Sequence, residues 1–84
     1  MKRFRIKITS GEHVDRYVGQ SFGGGLVASP EMENDPPVDI PGTNYGSYVQ
    51  EQWAIQFFEH GAYEASAKLR ALGYELELAE VIKS

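Results

Sequence analysis

Phe4, Ile6 and Ile8 alternate with Arg3, Arg5 and Lys7, a period of two that sets the apolar side chains on one sheet face and the cations on the other. This predicts a first strand. Thr9, Ser10, Gly11 and Glu12 supply turn chemistry, and the β-branched and aromatic run at 14–18 reads as a second strand returning in a hairpin. A helical reading competes there, because Thr9 and Glu12 fit a capping box and Val14, Tyr17 and Val18 have helical spacing. From 19 to 46 no period survives, and Gly23-Gly24-Gly25, Pro30, Pro36-Pro37, Pro41-Gly42 and Gly46 punctuate the stretch, which predicts a long irregular loop over 20–46. Loops of that length inside compact domains tend to be functional or disordered.

Residues 48–58 carry two signals. Ser47 and Gln50 suggest a helix cap, while Val49, Trp53, Ile55 and Phe57 share one parity. The abundance of Tyr, Val, Trp, Ile and Phe favours a strand. Ala62, Ala65, Leu69 and Leu72 then form a helical stripe, and Gly73 stands where a C-terminal cap belongs, so 62–72 is predicted as the main helix. Tyr74, Leu76 and Leu78 alternate with Glu75 and Glu77 to give a last strand. A row of Arg3, Arg5 and Lys7 beside a row of Glu75 and Glu77 would make favourable cross-strand pairs, so the two terminal strands are expected to be neighbours.

The expected fold class is α+β: a small antiparallel or mixed sheet of three to four strands, one helix (62–72) packed on one face, and the acidic loop. With 84 residues the chain has room for one hydrophobic core, hence a single domain over 1–84. It has no cysteine, which removes disulfides and thiolate metal sites and suits a reducing compartment. No apolar run reaches the roughly 18 residues of a membrane span. Charges at Lys2, Arg3 and Arg5 sit where a signal peptide would be apolar, so a cytoplasmic location away from membranes is expected.

Charge position changes the picture more than the net value of −4. Residues 17–67 carry Glu31, Glu33, Asp35, Asp39, Glu51, Glu59 and Glu64 with no lysine or arginine. The basic run at the N-terminus is expected to be neutralised within the fold, and the acidity of the middle to have no internal partner. An acidic chain repels phosphates, so direct nucleic-acid binding is not expected.

Tests for chemistry return little. Glu31, Glu33, Asp35 and Asp39 resemble a calcium loop, yet Pro36 stands where an EF-hand needs glycine and Gly42 where it needs its closing glutamate. The triple glycine lacks a following Lys-Ser/Thr pair. His13, Asp15, Glu59 and His60 have no metal or acid-base spacing and read as surface groups, and no serine lies in a nucleophile elbow. No catalytic residue, metal or cofactor is expected. Trp53, Phe57 and Phe58 read as core. Tyr45 and Tyr48, at the loop's exit beside acids, have the composition of protein-binding surfaces.

The expected function is therefore an inhibitor or interaction module that docks an acidic surface, made of Glu31, Glu33, Asp35, Asp39, Tyr45, Tyr48 and Glu51, onto a basic protein surface such as a nucleic-acid groove. If 31–35 run extended, alternate carboxylates recur about every 6.6 Å, a row of charges suited to such a groove. The strand Phe4-Arg5-Ile6-Lys7-Ile8, the turn at Ser10-Gly11, and the helix Tyr63-Glu64-Ala65-Ser66-Ala67-Lys68-Leu69 closing at Gly73 into Tyr74-Glu75-Leu76-Glu77-Leu78 together resemble small phage and mobile-element proteins, including anti-CRISPR inhibitors. The resemblance covers the two ends of the chain and implies a nuclease or surveillance complex as partner, with no individual residue carried over. The alternative is a structural or oligomerisation module using the aromatic residues of 45–58.

Overall fold

The computed structural model describes residues 1–21 and 35–82. These form an α+β fold: one six-stranded sheet with a single long helix on one face. The strands are β1 (Arg3–Ile8), β2 (Tyr17–Gln20), β3 (Val38–Asp39), β4 (Tyr45–Tyr48), β5 (Phe57–Phe58) and β6 (Leu76–Glu80), and the helix is α1 (Glu59–Ala71). Every strand pair is antiparallel. β1 is central, with β6 along its whole length on one side and β2 then β5 along the other, and β4 and β3 continue outward from β2.

β1 alternates as its sequence predicts. Ile6 and Ile8 are fully buried, and they meet Ala65 and Leu69 of α1 together with Val18 and Ile40 in the core; Phe57, Tyr74, Leu76 and Leu78 pack around it. The helix ends in a Schellman motif: Gly73 N–H donates to Arg70 O, Tyr74 N–H donates to Leu69 O, and Gly73 takes the positive φ of 96° that the motif requires. Glu59 in the first turn and Lys68 and Arg70 in the last complement the helix dipole.

The first hairpin is bulged. Asp15 and Arg16 both oppose Ile8, since Asp15 N–H donates to Ile8 O and Ile8 N–H to Arg16 O, with Asp15 at φ 66°. The extra residue delays the second strand to Tyr17, and Val14, expected within it, stays exposed. The expected hairpin thus forms with its second strand starting at Tyr17 instead of Val14, and the competing helix does not form.

The expected three to four strands become six because β3 and β4 fall in or beside the stretch read as loop. Residues 35–46 hold β3, a turn and the start of β4. Thr43 N–H donates to Ile40 O around Pro41-Gly42, with Gly42 at φ 81°, the arrangement of a type II turn. Gln20 ends β2, and residues 22–34, including Glu31 and Glu33, lie outside the described residues.

The single strand favoured over 48–58 is also replaced. The chain leaves β4 after Tyr48, makes one 3-10 turn over Glu51–Trp53, and rejoins the sheet where Ile55 N–H donates to Val18 O ahead of β5. β2 and β1 meet directly only near Tyr17 and Lys7, and residues 55–58 occupy the gap where they diverge. As a result Trp53 and Phe58, expected in the core, are 37% and 52% exposed, while Phe57 packs against it. Among the described residues no helix is long and apolar enough to cross a membrane.

Candidate protein-docking surface

The terminal strands are neighbours, with Lys7 opposite Glu77 and Arg5 opposite Ala79. The cations of β1 nevertheless find other partners as well. Arg3 lies 5.4 Å from the Phe58 ring centroid and Lys7 5.9 Å from that of Tyr17, both within cation–π range. Arg5 reaches off the sheet to the 3-10 turn, where its Nη1 meets Glu51 Oε1 at 3.0 Å. Arg16 donates from Nη1 to the carbonyl oxygens of Pro36 (3.1 Å) and Ser47 (3.2 Å). Glu51, within the acidic middle, thus does have an internal cationic partner, contrary to the expectation from linear charge order. The Arg5–Glu51 pair, with Glu51 largely exposed, contributes at most about 1 kcal/mol.

The described residues among those expected to form one docking surface divide among four environments. Asp35 and Asp39 are exposed on the segment that forms β3, one edge of the sheet. Asp39 accepts a 2.7 Å hydrogen bond from Ser21 Oγ. Glu51 belongs to the 3-10 turn and is held by Arg5. Tyr45 is half-buried, edge-on to Phe57 with ring centroids 5.8 Å apart.

Tyr48 is 4% exposed and is an interior residue. Its ring lies across Gly19, and its hydroxyl donates to Gln20 O at 2.6 Å. Burial first, and then the Asp39 carboxylate, raise its pKa above the ordinary tyrosine value. The folded chain therefore keeps this proton at pH values where the unfolded chain has released it. Below about pH 10 the group adds no pH dependence; above it, stability falls until the folded-state pKa is passed. Urea titrations between pH 8 and 11 should show a steeper alkaline loss of stability for the wild type than for Tyr48→Phe, by up to about 1.4 kcal/mol per pH unit. Identical slopes would place the Tyr48 hydroxyl in water.

His13, expected at the surface, is 3% exposed. Its Nδ1 lies 2.7 Å from Ser47 Oγ, which donates in turn to Val38 O at 3.1 Å, and its ring meets Tyr74 edge-on. A nucleophilic serine needs access to substrate, and Ser47 is fully buried; the pair ties β4 to the first hairpin. His60 stands apart on α1, exposed, 3.1 Å from Glu64. Among the described residues no three His, Cys, Asp or Glu side chains converge as metal ligands.

Of the expected surface, Asp35 and Asp39 are thus exposed just ahead of and on β3, at one edge of the sheet. Sequence reasoning missed the burial of Tyr48 and His13, and the signal for Tyr48 was available in Gly19, a strand glycine that leaves room for a ring. No family model matches this chain, and neither a curated protein nor a solved structure matches it.

Proposed function

We propose that this chain is a protein-binding module, not a catalyst, that docks the anionic β3 edge onto a basic surface of another protein. The observation that carries the reading is the exposure of Asp35 and Asp39 on one edge segment, inside a 17–67 stretch that contains no lysine or arginine. Glu31, Glu33, Asp35 and Asp39 share odd parity, so an extended backbone through this region turns their carboxylates the same way. A groove that holds a phosphodiester backbone carries arginine and lysine, and complementary charge speeds encounter and fixes orientation. An inhibitor of a nucleic-acid-binding assembly, in the manner of anti-CRISPR proteins, is the specific form of this proposal.

The test is binding to purified CRISPR nucleases and surveillance complexes, and capture from cell lysate, with the wild type and a quadruple variant carrying Glu31→Gln, Glu33→Gln, Asp35→Asn and Asp39→Asn. The wild type should associate at least about tenfold faster at low than at high ionic strength, and the variant should lose most of that salt dependence. Binding indifferent to both salt and substitution would refute the docking mode. The alternative, self-association through the aromatic residues of 45–58, retains only Trp53 and Phe58 as exposed rings.

A further inference from the structure

The two edges of the sheet are built differently. β3 has two residues, follows Pro36-Pro37 and carries Asp39, features that blunt an edge against further pairing. β6 carries Glu77 and Glu80, charges that also weigh against pairing, but it is longer and has no proline, lysine or bulge. Its ladder with β1 runs regularly from Glu75, whose carbonyl accepts from Thr9 N–H, to Val81, whose N–H donates to Arg3 O. Those two bonds fix the parity of the strand. The backbone groups of 75, 77, 79 and 81 face β1, and those of Leu76, Leu78 and Glu80 face outward, where the described residues supply no partner.

We infer that β6 pairs antiparallel with β6 of a second copy of this chain, about a two-fold axis at Leu78, joining the two sheets into one. Only even residues can bond across the joint, and like-charge opposition excludes some of the registers they allow. Centring on Leu78 sets Leu78 against its own copy, Leu76 against Glu80, Glu77 against Ala79 and Tyr74 against Ile82, with no carboxylates directly opposed. Centring on Glu77 or Glu80 sets that glutamate against itself, which is destabilising in a cross-strand pair. Centring on Ala79 sets Glu80 against Leu78 instead of Leu76, and gives up the leucine pair. The chosen register supplies reciprocal bonds at 76, 78 and 80, and it covers Leu76 and Leu78, which are only half-buried, together with Ile82, 84% exposed. The inference needs no basic partner and stands independently of the docking reading.

The test uses the purified full chain. Light scattering and sedimentation from micromolar to millimolar concentration should show a reversible rise to the mass of two chains. In this register an Ala79→Lys side chain faces Glu77 of the second copy, twice per dimer, and an Ala79→Glu side chain faces the same carboxylate. The first should tighten and the second weaken the dimer, each by about two- to thirtyfold. Glu80→Pro removes an outward N–H and no bond to β1, and should leave a folded monomer. Because the chain has no cysteine, mixing a Glu77→Cys variant with an Ala79→Cys variant should give a disulfide-linked pair on mild oxidation. A wild type that stays monomeric at millimolar concentration, a dimer indifferent to both charged substitutions, or self-linked Ala79→Cys as the dominant product would each overturn the proposal.

Discussion

Leu69→Ala should lower the unfolding free energy by about 2–5 kcal/mol, the usual cost of emptying a buried leucine site that cannot collapse. Leu69 is fully buried and completes a cluster with Ile6, Ile8, Val18, Ile40 and Ala65. It is the largest side chain that α1 puts into that cluster, the helix's other members being small. Nothing else can take up the loss: the chain has no disulfide, and a domain of this length has a total stability of only about 4–13 kcal/mol. Urea denaturation should therefore show a clearly lowered midpoint, by about 15% or more at the upper end of that stability range and by about half or more at its lower end. A loss under about 1 kcal/mol would mean that α1 does not rest on β1 through this residue.

The elements that could be read from the sequence are those in which one local rule is repeated several times. β1 shows three consecutive alternations, α1 shows a stripe closed by Gly73, and β6 shows the same period as β1 with opposite charge. The adjacency of β1 and β6 followed from that charge relation, and the structure aligns Lys7 with Glu77. What escaped lacks repetition. β3 is two residues long and β4 is four with Gly46 and Ser47 inside it, too short for any period to register amid prolines and glycines. The delayed start of β2 depends on one non-glycine residue, Asp15, taking a left-handed conformation, which residue type alone does not announce.

The candidate surface was legible as chemistry and less so as geometry. Linear charge order showed that the acids cluster and the cations lie at the ends, but folding placed Arg5 beside Glu51, 46 residues away. Such long-range pairs leave no mark on spacing. Aromatic composition misled for a related reason: in 45–58 it is the backbone path that decides exposure. Once the chain turned after Tyr48 instead of continuing as a strand, Tyr48 went inward and Trp53 outward.

That reversal makes Gly19 the second sensitive position. A Cβ on Gly19 would lie 2.4 and 2.5 Å from two ring atoms of Tyr48 and 3.0 Å from the backbone oxygen of Trp53, closer than packed atoms approach. The ring cannot simply swing away, because its hydroxyl is bonded to Gln20 O, and the 3-10 turn leading to β5 lies close above. Gly19→Ala should therefore cost about 1–3 kcal/mol through overpacking. The distinguishing result is a double-mutant cycle with Tyr48→Ala, which removes the obstructing ring: the cost of the alanine should fall well below its value beside Tyr48, a coupling of about 1 kcal/mol or more. Additive costs would show that the tyrosine does not cover Gly19, and would reopen the path of residues 48–58.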